Sequence, residues 1–299
     1  MTVLVLALSV LSLVMAVLAF VDVRRVAAVL QKHKDAILNL QDELDVIAST
    51  GPGNFKDTSP KAADGNRVKV PRDGLPLTGH TVIVGKSGSG KTNVAELQIM
   101  HRINAEHDVY IIDTKYELGP MFKNHVVKAV DTEGAAVLLE ELTTIAKDRQ
   151  NLFAVTMETL HKPCRNHGEY FKLTGSKLPI VSLFVEELIA LMAEVDEAKL
   201  IKLLVMGRSA GVYVVALAQY LTADTLSRKG SINFNTKVYL GQYDRISCGI
   251  LFPGLDKSDV QLLTAFLGSP GKGVIEEEGH LTTRTFPEVT SGMLESFMQ

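Results

Sequence analysis

The short run TVIVG at 81–85, made mostly of β-branched residues, leads into GKSGSGKT at 85–92, and the two stretches share Gly85. The spacing of two glycines, a lysine and a threonine fits the phosphate-loop pattern G-x-x-x-x-G-K-S/T in full. Glycines let backbone N–H groups wrap a phosphate, and the helix that follows such a loop presents its positive end. The pattern predicts nucleotide binding by eight residues: Gly85, Lys86, Ser87, Gly88, Ser89, Gly90, Lys91 and Thr92. Within this loop, Lys91 is expected to neutralise the β- and γ-phosphates, and the Thr92 hydroxyl to ligate Mg²⁺.

Apolar runs alternate with helical segments after residue 80. Strands are predicted at 81–85, 109–113, 180–186, 212–219 and 237–241, and helices at 91–104 and 133–150. Such alternation indicates a parallel sheet covered by helices on both faces, which is an α/β fold.

A phosphate loop needs a carboxylate beside the metal, at the end of another strand. The segment LPIVSLFVEEL (178–188) supplies Glu186 and Glu187. We expect Glu186 to hold Mg²⁺ through water and Glu187 to act as the general base. One predicted strand separates this pair from the phosphate loop in sequence, which indicates the RecA-like additional-strand class. Gln219, at the end of the fourth predicted strand, is expected to sense the γ-phosphate.

The N-terminal segment predicts a membrane anchor at 1–22. Residues 3–21 contain no charge, Pro or Gly, and as a helix they would cover about 28 Å, enough for a bilayer core. Arg24, Arg25 and two lysines follow the run, which places the C-terminal side in the cytoplasm. A cleaved signal peptide would need a basic region before the run, where only two uncharged side chains stand. We expect a single-pass protein of the cytoplasmic (or host inner) membrane, with a virion membrane as the alternative.

Three further segments complete the expected organisation. Apolar residues at alternating spacings of three and four predict a helical stalk at 23–50, either a short coiled coil or a single amphipathic helix. Gly, Pro and polar residues predict a flexible linker at 51–78. The motor domain is expected at 79–299. Cys164 and Cys248 match no metal-ligand spacing and are expected to be buried thiols.

Taken together, these segments resemble the FtsK/SpoIIIE/HerA family of DNA-pumping ATPases. LPIVSLFVEELIALM (178–192) is similar to the family's "LP, apolar run, DE" segment, and MGRSAGVYVVALAQYLTADTL (206–226) to its "GRAAGIH … ATQRPS" segment. IIDTKYEL (111–118) is similar to its "IDPK-EL" stretch. The resemblance covers about 75–285. It implies ATP with Mg²⁺, a hexameric ring, and duplex DNA as the transported polymer.

The resemblance also assigns roles to single residues. It implies that Arg208 is an arginine finger reaching the nucleotide of the next subunit, that Glu187 is the catalytic base, and that Gln219 senses nucleotide state. Two departures are visible: Glu186 stands where the family has aspartate, and Tyr220-Leu221 replaces the "RP" after the glutamine. Because the chain stops soon after LTTRTFPEV (281–289), the family's DNA-reading winged-helix domain and sequence-directed translocation are not expected.

One basic segment, HKPCRNHGEYFKLTGSK (161–177), lies where the family places a pore loop. Six copies would form a collar that contacts phosphates without base specificity. The candidate DNA contacts are Lys162, Arg165, Lys172 and Lys177, with Arg228 and Lys229 as a weaker second set. A solvated surface loop is the alternative. The formal net charge of −3 argues against a nucleic-acid coat protein, whose whole surface would be basic.

These observations predict a membrane-anchored, ATP-driven translocase of double-stranded DNA, serving plasmid transfer or phage genome packaging rather than chromosome segregation. Two alternatives stay open. The first is an ATPase that drives assembly or extrusion of a virus or another protein substrate through the membrane. The second is a nucleotide-switched membrane adaptor that pumps nothing.

Overall fold

The computed structural model of the protein describes residues 69–222, 225–277 and 279–298. The predicted anchor at 3–21, the predicted stalk at 23–50 and residues 51–68 of the predicted linker lie outside the described residues, as does the side chain of Arg228. Among the helices that are described, none combines the length and apolarity needed to cross a membrane.

The described residues form eight strands and ten helices. The strands are β1 (Thr81–Val84), β2 (Asp108–Ile112), β3 (Val126–Val130), β4 (Val181–Val185), β5 (Val212–Ala218), β6 (Thr236–Leu240), β7 (Lys272–Glu277) and β8 (His280–Thr285). The helices are α1 (Lys91–Asn104), α2 (Leu118–Met121), α3 (Thr132–Leu160), α4 (His167–Thr174), α5 (Leu188–Glu194), α6 (Glu197–Ala210), α7 (Arg228–Ser231), α8 (Arg245–Leu251), α9 (Lys257–Phe266) and α10 (Ser291–Met298).

All eight strands join one sheet in the order β3-β2-β4-β5-β1-β6-β7-β8. β1 to β6 are parallel, whereas β7 and β8 form an antiparallel hairpin on one edge. The α/β class with a parallel central sheet is therefore confirmed. β5 lies between β1 and β4, so an additional strand separates the phosphate-loop strand from the strand that carries the two glutamates.

Three strands of this sheet were not predicted. β3 has the sequence VVKAV with alternating exposure, and β7 and β8 mix charged and polar residues with apolar ones. All three lie at or near a sheet edge, where strands are not buried on both faces and leave a weaker apolar signal. Two strands, β2 and β3, therefore lie between the phosphate loop and the strand that carries the glutamate pair, where the sequence predicted one.

Two apolar layers cover the sheet, one on each face. Side chains alternate along β1, so Val82 and Val84 pack with α3 and α6 while Ile83 packs with α1 on the other face. β1, β4 and β5 are buried at every position, as is typical of central parallel strands. The carboxyl ends of these parallel strands therefore lie side by side along one edge of the sheet, and both layers hold them in place.

Helix α3 is longer than predicted, because it continues from residue 150 to Leu160. Its N-terminus is capped by Asp131, whose side chain accepts a hydrogen bond of 2.9 Å from the Gly134 amide. The added turns bury Phe153 against Tyr170 of α4 and Cys164. Both cysteines are buried free thiols, as expected.

Residues 69–78, the C-terminal end of the predicted linker, contain neither helix nor strand but are packed on the domain. Asp73 is buried and accepts hydrogen bonds from the Leu75 amide (3.0 Å) and from Nε2 of Gln98 on α1 (2.6 Å). Nη1 of Arg284 on β8 donates to the Asp73 carbonyl at 3.1 Å. This segment of the predicted linker is therefore held by α1, the helix that follows the phosphate loop, and by β8.

Candidate active site

The loop between β1 and α1 has the backbone geometry that its glycines allow. Gly88 and Gly90 have φ of +77° and +97°, in the left-handed region that favours glycine. At Gly85 the limit is space, because an added Cβ would lie 2.4 Å from the Leu240 carbonyl oxygen. Backbone bonds fix the turn further, including one of 3.1 Å from the Ser89 amide to the Lys86 carbonyl. The phosphate-loop pattern therefore corresponds to a tight loop that only glycine permits at these positions.

Lys91 begins α1, and its ammonium group folds back onto the loop. Nζ donates to the carbonyl oxygens of Gly85 and Lys86, the latter at 3.2 Å. Burial lowers the pKa of Lys91; the negative charge of Glu187 opposes this effect, and the positive charge of Lys115 adds to it. Three charged side chains therefore lie close enough to influence one another around the loop.

A cavity of about 430 Å³ opens beside the loop. Its lining brings together the residues that were predicted separately, namely Ser87, Gly88, Gly90, Lys91, Thr92, Glu186 and Gln219. They come from the ends of β1, β4 and β5, which are adjacent in the sheet. Ligands of open parallel sheets bind outside the carboxyl ends of the strands, and this cavity lies there.

Glu186 is buried, with 4% of its surface exposed, at the end of β4. Its Oε2 accepts hydrogen bonds from the Lys115 amide (2.8 Å) and the Thr114 hydroxyl (3.1 Å). Its Oε1 lies 3.4 Å from Nζ of Lys115. Burial raises the pKa of Glu186, and Asp113 beside it raises it further. A cation is the partner that would best stabilise this carboxylate in its charged form.

Glu187 is also buried and precedes α5. Its Oε1 accepts a hydrogen bond of 3.4 Å from the Gln219 amide. Its Oε2 is buried and has no hydrogen-bond partner among the described residues. One oxygen is therefore oriented by the end of β5, and the other is buried without a partner among the described residues.

The oxygens of Glu186 and Thr92 suit Mg²⁺, which in nucleotide enzymes is held by one or two carboxylates together with the phosphates. Glu186 Oε1 has no hydrogen-bond donor within the described chain beyond its ion pair with Lys115, and the Thr92 side chain lines the same cavity. Among the described residues, no three or more His, Cys, Asp or Glu side chains lie together in a group that could hold a metal ion. Mg²⁺ here would therefore need the nucleotide phosphates as further ligands. The residues that would hold Mg²⁺ are thus Thr92 and Glu186.

Arg208 is not brought to this cavity. It is exposed in the last turn of α6, just before β5 begins, whereas Gln219 follows the end of β5. The seven residues of β5 span about 20 Å at roughly 3.3 Å each. Arg208 lines a different cavity of about 370 Å³ with Tyr213 and Asn235. This cavity lies at the opposite edge of the sheet, where the parallel strands β1, β5 and β6 begin. A single copy of the domain therefore cannot place Arg208 on its own phosphates.

The basic segment 161–177 lies at the same edge as Arg208. It contains α4, whose His167 contacts the α6–β5 junction through Nδ1, 3.4 Å from the Ser209 carbonyl oxygen. The four candidate DNA contacts are all exposed: Lys162, Arg165, Lys172 and Lys177. Two of them are paired with carboxylates, Arg165 with Glu169 at 2.8 Å and Lys177 with Glu106 at 3.6 Å.

Sequence reasoning missed two charged residues that line the nucleotide cavity, Lys115 and Glu117. It also missed Asp113, which is buried and accepts hydrogen bonds from the amides of Glu117 (3.1 Å) and Gly119 (2.7 Å). All three lie in IIDTKYEL (111–118), a segment that supported the family resemblance but to whose residues we assigned no role. The signal was the position of this polar group directly after β2, next to β4 in the sheet.

Solved structures share this fold. The pCW3 conjugation coupling protein TcpA, in its monomer form with ATPγS, matches with a TM-score of 0.61 and 16% identity over 74% of this chain and 65% of that chain. EssC (ATPases 2 and 3) from Geobacillus thermodenitrificans matches with a TM-score of 0.58 and 19% identity over 74% and 42% of the two chains. The cytoplasmic domain of the Thermomonospora curvata type VII secretion ATPase EccC matches with a TM-score of 0.55 and 15% identity over 74% and 28%.

These likenesses show the fold, which this chain shares with TcpA and with the ATPase domains of EssC and EccC. The chain spans 65% or less of the length of each of these structures. No family model matches the sequence, and no curated protein sequence does.

Proposed function

We propose that this chain is a membrane-anchored ATPase that translocates double-stranded DNA as a homo-oligomeric ring, with six subunits, in plasmid transfer or phage genome packaging. The observation that carries the proposal is the division of the predicted residues between two edges of the sheet. The phosphate loop, Glu186, Glu187 and Gln219 meet at one edge, while Arg208 lies at the other. Such a site is completed by a second copy of the chain.

The chemistry proposed for the first edge is hydrolysis of ATP. Lys91 is placed to neutralise phosphate charge, and the loop amides and the start of α1 add fixed positive charge. Glu187 would take a proton from the attacking water through Oε2, which has no hydrogen-bond partner among the described residues. Bound Mg²⁺, held by Thr92 and Glu186, would supply further charge neutralisation at the phosphates.

The position of Arg208 supports the proposed ring. A contact in which one edge of a subunit meets the other edge of the next is heterologous, and repeating it with closure produces a ring. A guanidinium supplied across that contact stabilises transition-state charge, so hydrolysis would depend on assembly. The segment 161–177 shares the edge of Arg208, so the assembly also repeats its exposed basic groups around the ring.

Two considerations favour DNA as the transported polymer. The first is the exposed basic segment, since Lys162 and Lys172 form no ion pair within the described part of the chain and suit phosphate contacts that do not depend on sequence. The second is the fold likeness to TcpA, which is a conjugation coupling protein. With the expected anchor at 3–21, the motor would work at the cytoplasmic face of a membrane.

The test is ATP turnover by the full-length chain, purified in detergent, with and without duplex DNA. Translocation predicts that DNA stimulates turnover and that added salt removes the stimulation. Lys91→Ala, which removes the phosphate-loop ammonium, is the negative control. Equal turnover with and without DNA at low salt would contradict the proposal.

Protein transport is a second candidate, because EssC and EccC share the fold and EccC is a secretion ATPase. An ATPase that extrudes a virion or another protein would ignore DNA and respond to its own protein substrate. A nucleotide-switched adaptor would show neither response, and its function would survive Glu187→Gln. DNA stimulation and the effect of Glu187→Gln on turnover therefore separate the three functions.

A further inference from the structure

We propose that Lys115 is a second phosphate-binding lysine, which contacts the terminal phosphate of ATP and so distinguishes ATP from ADP. This inference rests on the proposed ATPase function and deepens it. It concerns a residue outside the phosphate loop, in the turn between β2 and α2. Lys115 follows β2, which pairs with β4, the strand that carries the two glutamates, and it does not belong to the phosphate loop.

The first support is position. Lys115 lines the same cavity as Gly90, Lys91 and Thr92. β2 pairs with β4, so the turn after β2 lies beside the glutamates that follow β4. The Lys115 amide donates to Glu186 Oε2 at 2.8 Å, which fixes the backbone of the turn whatever the side chain does.

The second support is the partner of the side chain. Nζ of Lys115 lies 3.4 Å from Glu186 Oε1, so one lysine engages both oxygens of this carboxylate, one through its side chain and one through its backbone. Glu186 is nearly fully buried, whereas the Lys115 side chain is 43% exposed. The lysine is thus the partner with room to move. A phosphate oxygen in the cavity is a second acceptor within its reach.

The third support is charge. The side chains of Lys91 and Lys115 line one cavity, so two positive charges lie close together there and repel each other. An anion bound between them relieves this repulsion and gains charge-assisted hydrogen bonds with both. The pair therefore forms a clamp with positive charge on two sides of the cavity.

The same geometry indicates which phosphate reaches Lys115. The loop amides and Lys91 hold the β-phosphate and reach towards the γ-phosphate. Glu186, which would hold the metal, follows the end of β4 rather than belonging to the loop, and Nζ of Lys115 lies 3.4 Å from its Oε1. The terminal phosphate of ATP extends towards this side, while that of ADP remains at the loop. Lys115 would then exchange Glu186 for phosphate only when ATP is bound.

The experiment compares affinities for a fluorescent non-hydrolysable ATP analogue and the matching ADP derivative, using the full-length chain. We expect Lys115→Ala to weaken binding of the ATP analogue about tenfold or more, which is the size of one hydrogen bond to a charged group. ADP binding is expected to change less than about twofold in the same variant, because ADP has no phosphate at this position. Lys115→Arg, which keeps the charge, should restore most of the preference for the ATP analogue. Lys147→Ala, at an exposed lysine of α3, is the matched control.

The outcomes separate the two proposals. If wild-type chain binds neither nucleotide, the proposed ATPase function fails and the inference fails with it. If wild type binds both but Lys115→Ala weakens both equally, or weakens neither, the inference alone is overturned. Unfolding temperatures of all variants without nucleotide show whether an equal loss of affinity for the two nucleotides reflects damage to the fold. If it does, the test is whether Lys115→Arg binds the ATP analogue more tightly than ADP, as wild type does; a Lys115→Arg variant without that preference overturns the inference.

Discussion

The backbone amide of Gln219 donates a hydrogen bond of 3.4 Å to Oε1 of Glu187, which ties the end of β5 to the end of β4. The second carboxylate oxygen of Glu187 is buried and has no partner among the described residues. A movement at the end of β5 would therefore be transmitted directly to the proposed base. This hydrogen bond would give Gln219, the predicted sensor of nucleotide state, a route to Glu187 through its backbone.

Glu187→Gln should abolish turnover without abolishing nucleotide binding. The amide keeps the size of the side chain but cannot accept the proton, and loss of a general base lowers rates by roughly 10²–10⁴-fold. Steady-state ATP hydrolysis and binding of a non-hydrolysable analogue measure the two effects. Glu140→Gln, at an exposed position of α3, is the matched control. Turnover of Glu187→Gln within twofold of wild type would remove Glu187 from this role.

Gly85→Ala should disrupt the phosphate loop and weaken nucleotide binding. The added Cβ would lie 2.4 Å from the Leu240 carbonyl oxygen and 2.7 Å from Ser89 Oγ, so β6 or the loop must shift. Gly249→Ala is a matched control, because no atom lies within 4 Å of the added Cβ and helix α8 favours alanine by about 1 kcal/mol. Thermal unfolding and nucleotide titration measure both variants. Unchanged nucleotide affinity of Gly85→Ala would show that the loop is not held as described.

Lys162→Ala with Lys172→Ala should weaken DNA binding more than Arg165→Ala with Lys177→Ala. Members of the second pair already engage carboxylates, and ion pairs must be broken before they reach phosphate. The slope of the logarithm of the binding constant against the logarithm of the salt concentration should become shallower by about 1 for each lysine that no longer neutralises a phosphate.

Two exposed lysines outside the basic segment, Lys123 and Lys147, provide the matched double variant for this experiment. Basal ATP turnover without DNA should stay the same in all three double variants. If the control weakens DNA binding as much as Lys162→Ala with Lys172→Ala, the basic segment is an ordinary surface loop.

His80 should make the domain less stable in acid. It is fully buried, Nδ1 accepts from the Val214 amide at 3.0 Å, and Nε2–H therefore donates to the Leu204 carbonyl at 2.8 Å. Burial lowers the pKa of His80 to about 4; the Leu204 bond opposes this shift and the charge of Arg208 adds to it. In the unfolded chain His80 has a pKa of about 6.5, so between pH 6.5 and pH 4 it binds a proton that it does not bind in the folded chain.

The stability is thus fully present above pH 6.5 and is lost as pH falls towards 4, by about 2 kcal/mol at pH 5 from this group. Urea unfolding at pH 7.5 and pH 5 measures the change. His80→Gln should lower stability at both pH values but reduce the difference between them. His161→Asn, at an exposed position, should leave the difference unchanged. An undiminished difference in His80→Gln would show that His80 does not control it.

The central sheet could be predicted because its strands are buried on both faces. β1, β4 and β5 are continuous apolar runs, and the phosphate loop fixes which strand comes before α1. β3, β7 and β8 were missed because edge strands carry charged and polar side chains, which break the apolar signal. The longer α3 was missed since the apolar residues of its last turns pack in a small cluster with α4 and loop residues, apart from the two layers that cover the sheet.

The candidate site was predictable where a motif names both residue and position. Lys91, Thr92, Glu186, Glu187 and Gln219 were expected together, and the first cavity joins four of them directly, with Glu187 adjacent through Gln219. The role of Lys115 depends on pairing between β2 and β4, which brings together residues 71 positions apart. Sequence spacing cannot reveal such a contact, because it arises only when the sheet forms.

The central claim is that Arg208 completes the active site of a neighbouring copy, and co-expression of two inactive variants tests it most directly. Arg208→Ala lacks the finger but keeps Glu187, while Glu187→Gln lacks the base but keeps the finger. In mixed assemblies, an Arg208→Ala subunit beside a Glu187→Gln subunit carries both intact groups at one interface. Random mixing creates this arrangement at about one quarter of the interfaces of a head-to-tail ring. We predict ATP turnover well above that of either variant alone; turnover that stays at the level of the single variants, or full activity of Arg208→Ala by itself, would contradict the account.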